Sequence, residues 1–66
     1  MKYERQYIQD VFIRVAKDSG FELEGTRVAL FVANLLDMPP FMVYTAMGDM
    51  DTMNRIAKGD HPVCKE

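Results

Sequence analysis

The N-terminal segment of the chain repeats apolar residues with the period of a helix. Apolar side chains recur every three or four residues, which places them on one stripe, with charged residues on the opposite side. The stripe consists of Tyr3, Tyr7, Ile8, Val11, Phe12, Val15 and Ala16. Ser19-Gly20 then offers a stop, because glycine readily adopts the left-handed conformation that ends helices. The sequence therefore predicts an amphipathic first helix that ends at this dipeptide.

An almost wholly apolar segment follows a short loop. In that loop, Phe21 and Leu23 are expected to tuck against the helices. Thr26 is the expected N-cap of a second helix over residues 27–36. Because only Asn34 interrupts its apolar character, this helix should be buried on most sides.

Two adjacent prolines, Pro39 and Pro40, separate the second helix from a third. Proline disfavours helical backbone in the residue before it, so the second helix should end near Asp37. Pro40 suits the first turn of the third helix, because its missing N–H needs no partner there. The third helix is predicted to extend to about Met47 and to close at Gly48.

A fourth helix is predicted after Gly48, with Asp49 or Asp51 as its N-cap and Gly59 as its C-cap. Its apolar face consists of Met50, Met53, Ile56 and Ala57. Residues 60–66 are predicted to be a flexible tail. The pattern therefore predicts an all-α fold of four short helices, with residues 1–59 forming a single domain.

The composition leaves this domain with few means of stabilisation. The chain has 66 residues, of which 48% are hydrophobic, so it forms one domain with a small core. A single cysteine and a single histidine exclude an internal disulfide and a His/Cys zinc site within one chain. We expect no metal and no cofactor. Self-association, as a homodimer, is the remaining means of stabilisation.

Catalysis and membrane insertion are both disfavoured. Ser19 lies in a helix stop, while His61 and Cys64 lie in the tail, so nothing orients a nucleophile and a base, and an enzyme is not expected. The longest apolar run covers six residues, 28–33, against the roughly 20 that span a membrane. With no export signal, the cytoplasm is the expected location.

Residues 26–48 have the spacing of a helix-turn-helix, two short helices joined by a tight turn. Ala33 would be the small residue at the helix contact, and Asp37 would take the left-handed turn position, which Asp tolerates better than most residues. Met38 would be buried in the turn, with Val43 and Ala46 facing inward. The stretch 32–48 resembles the helix-turn-helix of small phage repressor and Cro-like proteins. Residues 55–59 resemble the helix that follows in that family, so the resemblance covers 26–59.

The resemblance implies a phage-type, DNA-binding transcriptional regulator that acts as a dimer, with the third helix in the major groove. Carried over position by position, the base-reading residues are Pro39, Pro40, Phe41, Tyr44, Thr45 and Gly48. The phosphate contacts are Arg27, Arg55 and Lys58. This face departs from the family pattern, because it lacks the Arg, Lys, Asn and Gln side chains on which direct readout of bases relies.

The departure suggests an alternative. Residues 28–54 contain no Lys or Arg, the net charge is −2, and five of the six methionines lie within residues 38–53. Methionine and aromatic residues are common in protein interfaces. The face that includes Pro40, Phe41, Tyr44 and Thr45 would then bind a protein, as in an inhibitor, antirepressor or adaptor. Further interface candidates are Met42, Met47 and Met50. A purely structural oligomer is a third reading, and the sequence leaves open whether helix three is a dimer seam.

Overall fold

The computed structural model describes residues 3–65, with only the backbone of Lys65. It has four α-helices: α1 (Arg5–Asp18), α2 (Gly25–Leu36), α3 (Pro40–Met47) and α4 (Met50–Ala57). A short 3-10 helix, Pro62–Lys65, follows. No strand is present within residues 3–65, so the predicted all-α fold of four helices is confirmed.

One apolar core holds the four helices together, and each helix packs against the other three. Most of the core comes from the stripes that the periodicity predicts, since burial of these stripes is the main driving force for packing. Tyr7 of the α1 stripe and Met50 of the predicted α4 face are exceptions, because each is 49% exposed. The members of the core are Ile8, Phe12, Ala16, Val28, Ala29, Val32, Ala33, Leu36, Val43, Ala46, Met47, Met53, Ile56 and Ala57. Phe21 and Leu23, from the loop after α1, pack against this core as predicted.

The start of α2 differs from the prediction. Thr26 is not the N-cap: the helix begins at Gly25, and Glu24 takes the cap position without a side-chain hydrogen bond. Gly25 is buried against α4, where a Cβ atom would lie 3.2 Å from the Cα atom of Asn54. The start of α2 is therefore marked by a glycine that lets α4 pack closely, and not by a hydroxyl side chain that caps the helix.

The turn between α2 and α3 matches the prediction. Asp37 adopts the left-handed conformation, with φ 54° and ψ 54°, directly after the last residue of α2. The Met38 amide donates a hydrogen bond to the Ala33 carbonyl at 3.0 Å. Pro39 is the N-cap of α3, and Pro40 occupies its first turn.

Asp49 is the N-cap of α4, which decides between the two predicted caps. Its carboxylate accepts a hydrogen bond from the Thr52 amide at 2.7 Å. The C-cap of α4 is Lys58, one residue before the predicted Gly59.

The segment 60–65, predicted as the start of a flexible tail, includes the 3-10 helix, and Val63 and Cys64 pack against the core. The Cys64 thiol donates to the Ile56 carbonyl at 3.4 Å. The apolar side chain of Val63 and this sulfur contact give the segment a docking site on α4 that its polar composition did not indicate.

Candidate interaction surface

The α2–α3 pair carries the exposed side of α3, on which both the DNA-binding and the protein-binding hypotheses depend. A turn of three residues, 37–39, joins the helices, and the chain bends by 116° between them. Helix-turn-helix motifs have similar turns and bends of about 90–120°. Ala33, Val43 and Ala46 are buried and Met38 is half-buried, each on the inward side expected for it.

The C-terminus of α3 is fixed by side chains of α1. Arg5 Nε and Gln9 Nε2 both donate hydrogen bonds to the Ala46 carbonyl oxygen, at 3.0 Å and 2.8 Å. Carbonyls in the last turn of a helix have no partner within the helix, and a cation there also suits the helix dipole. Arg5 and Gln9 lie outside the predicted apolar stripe of α1, and the sequence did not indicate this role because the pairing spans about 40 residues.

We call Pro40, Phe41, Tyr44 and Thr45 the α3 face. Phe41 is 61% exposed and Thr45 is exposed, whereas Pro40 and Tyr44 are half-buried, with Tyr44 packed against the core. The Thr45 hydroxyl donates to the Phe41 carbonyl at 2.9 Å, one turn earlier in the same helix. This surface is therefore an apolar one with an aromatic ring at its centre and few polar groups that point outward. Pro39 and Gly48, at either end of α3, are also exposed.

The charged residues that precede and follow α3 in the chain are acidic, whereas Arg5 of α1 contacts its C-terminal end. Asp37, Asp49 and Asp51 are exposed, and no Lys or Arg lies between Arg27 and Arg55 in the sequence. The predicted phosphate-contact residues Arg27, Arg55 and Lys58 are all exposed. Arg55 Nε, however, donates to the Asp60 carbonyl at 3.1 Å, which engages part of its guanidinium.

Asp49 carries the electrostatic perturbation of this region. The hydrogen bond from the Thr52 amide, together with one from the Thr52 side chain, lowers the pKa of the Asp49 carboxyl, and desolvation opposes this only weakly. The Asp49 side chain therefore caps α4 and favours its negatively charged form.

The three methionines proposed as interface residues have different positions. Met47 is 4% exposed and belongs to the core, so its assignment to an interface is wrong, because its side chain is buried on the inward side of α3. Met42 is half-buried, and Met50 is 49% exposed between Asp49 and Asp51 at the start of α4.

An apolar groove beside α2 was not predicted. We call it the α1–α2 groove; its volume is about 390 Å³, and its lining residues are Tyr7, Asp10, Val11, Arg14, Val15, Asp18 and Leu35. Leu35 is 67% exposed, and Leu30 and Phe31 are exposed as well. The expectation that α2 is buried on most sides is therefore wrong, because three neighbouring helices cover only one side of it. An almost uniformly apolar helix in so short a chain was the available signal, since few neighbours exist to cover it.

The chain matches no protein-family model, no curated protein sequence and no solved structure. Within residues 3–65, no single helix has both the length and the apolarity to cross a membrane, and α2 and α3 meet that test only together, as a bent pair. In the same part of the chain, no three His, Cys, Asp or Glu side chains are grouped so as to hold a metal ion.

Proposed function

We propose that this chain is a small protein-binding module, an inhibitor, antirepressor or adaptor, which captures its partner with the α3 face. The observation that supports this most is the 61% exposed Phe41 on a helix that has no Lys or Arg of its own and that Arg5 of α1 contacts at its C-terminal end. Exposed aromatic side chains at the centre of a patch are the residues that most often dominate binding energy. A duplex would instead need several cations along α3, and the Arg5 guanidinium at its C-terminal end is already engaged with the Ala46 carbonyl.

The charges around the α3 face indicate the chemistry of the partner. Asp37, Asp49 and Asp51 are exposed carboxylates near an apolar centre. Complementary potentials favour an encounter between surfaces of opposite sign. The partner would therefore present an apolar pocket for Phe41 with Lys or Arg at its rim.

The α3 face is also well suited to binding because its backbone is held in place. Arg5 and Gln9 fix the end of α3 through the Ala46 carbonyl, and Pro40 fixes its first turn. A preorganised surface loses less conformational entropy when it binds.

The test replaces Phe41 with Asp and compares affinity capture from the natural host, quantified by mass spectrometry. We expect a protein that wild type and Phe41→Leu both retain, and that Phe41→Asp loses by at least about tenfold, because a buried unpaired carboxylate is costly. Phe41→Asp should stay folded by circular dichroism, since an acidic residue in the first turn suits the helix dipole. Identical capture by wild type and Phe41→Asp would contradict the proposal.

A second candidate function is a phage-type, DNA-binding regulator that acts as a dimer. The three-residue turn, the bend of 116° and the left-handed Asp37 favour it. Phe41, Tyr44 and Thr45 would then face bases, and the phosphate contacts would come from Arg27, Arg55 and Lys58.

Fluorescence anisotropy of labelled protein with a random DNA library at rising salt tests this second candidate. Binding that falls with a slope of roughly −0.9 per phosphate contacted on a log–log plot would support it. Tyr44→Ala should then lower the affinity for a selected site without loss of helicity. Absence of binding near about 50 mM salt would exclude it, because charges are little screened there.

A further inference from the structure

We infer that the α1–α2 groove binds a second copy of this chain, so that the protein pairs through α1 and α2 and leaves the α3 face open. The groove has an apolar floor from Tyr7, Val11 and Val15, and Leu35 of α2 stands beside it, 67% exposed. A projecting side chain and a groove on the same surface are what a two-fold interface requires. Each copy can then place its Leu35 in the groove of the other.

The residues that form the floor of this groove are held in place. Val11 and Val15 are half-buried and pack against the core, so their outer atoms are held in fixed positions. The Tyr7 ring stacks on Tyr3 with the ring centroids 5.3 Å apart. An interface formed on these residues would order few additional side chains, which lowers the cost of association.

The charges at the groove distinguish a second copy from other occupants. Asp10, Arg14 and Asp18 line it at intervals of four residues, which places them in one row along α1. If two copies pair with their α1 helices antiparallel, and the two-fold axis passes between Asp10 and Arg14, each Asp10 lies opposite Arg14 of the second copy. A partner with a single sign of charge would leave like charges opposed. A row of alternating charges can therefore pair with the same row of a second copy.

The first test is sedimentation equilibrium of the full chain over a roughly hundredfold range of concentration. Wild type should dimerise, and Leu35→Asp should weaken the dimer by at least about 100-fold, because its carboxylate would be buried without a partner. Leu30→Asp is the matched control, an exposed α2 position outside the groove lining, and should dimerise as wild type does. Both substitutions are at exposed positions, so helicity should be unchanged. A wild-type monomer throughout, or equal dimerisation of wild type and Leu35→Asp, would overturn the inference.

A charge exchange tests the two-fold arrangement. Arg14→Asp should weaken the dimer by about tenfold or more, since it opposes carboxylates across the axis. Adding Asp10→Arg should restore the dimer; restoration by Asp18→Arg instead would support the same pairing with the axis between 14 and 18. If neither restores it, the two-fold pairing of α1 is wrong.

The inference is independent of the proposed partner-binding role of the α3 face. Phe41→Asp should dimerise as wild type does even where it loses the protein partner, and Leu35→Asp should keep the α3 face intact. Loss of the dimer in Phe41→Asp would move the seam to α3 and overturn the inference.

Discussion

At the scale of the residue, Asp49 links protonation to the stability of α4. Its carboxylate caps the helix, and the hydrogen bond to the Thr52 amide holds the Asp49 pKa below its usual value. A carboxyl whose pKa is lower in the folded state contributes stability above its unfolded pKa, and this contribution is lost as the pH falls through the folded pKa. The stability of wild type should therefore decline as the carboxylate takes up a proton.

The prediction is checked by urea unfolding of wild type and Asp49→Asn between about pH 5 and pH 2. Asparagine keeps an acceptor oxygen for the Thr52 amide and cannot titrate, so its stability should depend less on pH. Asp49→Ala, which has no acceptor, should be less stable than Asp49→Asn near pH 7. Parallel pH profiles for wild type and Asp49→Asn would show that the cap does not titrate with folding.

Single residues were predictable from the sequence where backbone chemistry alone decides. Pro40 was identified correctly because a first helical turn accepts proline, and Asp37 because the helix-turn-helix spacing puts a left-handed turn at a residue that tolerates it. Thr26 and Met47 were misassigned, because tertiary neighbours decide their roles. Asn54 of α4 closely approaches Gly25 at the start of α2, and Met47 is buried on the inward side of α3.

At the scale of the element, α1 acts as the support of α3. The Ala46 carbonyl accepts hydrogen bonds from both Arg5 and Gln9, so either donor can satisfy it alone. We expect Arg5→Ala and Gln9→Ala to cost about 0.5–1 kcal/mol each. The double variant should cost more than the sum, because a partly buried acceptor then has no donor.

Urea unfolding of the two single variants and the double variant measures this coupling as a double-mutant cycle. All variants are compared in the Leu35→Asp background, so that pairing through the α1–α2 groove does not contribute. Gln6→Ala is the matched control there, since Gln6 donates to the exposed Asp10 of the same helix. Its loss should change the free energy of unfolding by less than about 0.5 kcal/mol. Strict additivity of Arg5→Ala and Gln9→Ala would refute a shared acceptor.

Helices were predictable at the level of the element because apolar spacing and turn residues agree along most of the chain. The predicted ends near Asp37 and at Met47 correspond to the observed ends of α2 and α3. The burial of α2 was not predictable from spacing, since an almost uniformly apolar helix has no period that marks its exposed side. The docking of Val63 and Cys64 depends on the core and on the Ile56 carbonyl eight residues earlier, contacts that apolar spacing does not mark.

At the scale of the whole molecule, a small core leaves the stability of the fold sensitive to any association of the folded chain. A second copy that binds only the folded chain stabilises it by mass action. If the α1–α2 groove forms the dimer, the melting temperature of wild type should rise by several degrees over a roughly hundredfold increase in protein concentration. Leu35→Asp should melt at the same temperature throughout.

Calorimetry or circular dichroism of the two proteins at matched concentrations checks this. A melting temperature of wild type that does not depend on concentration would show that the folded chain is a monomer in that range.

The α3 face could be predicted from sequence because its residues are close together in the chain. The groove could not, because it joins Leu35 to α1 across the fold.

The position of Cys64 has a practical consequence. It supplies the one thiol of the chain, half-buried and hydrogen-bonded to the Ile56 carbonyl. A disulfide reagent can reach this sulfur freely when the C-terminal segment lifts from α4, so its labelling rate reports how often that happens. Divided by the rate for an unstructured peptide, this rate sets an upper limit on the open fraction, since a half-buried sulfur also reacts from the closed state. The native sequence thus carries its own kinetic reporter, with no engineered label.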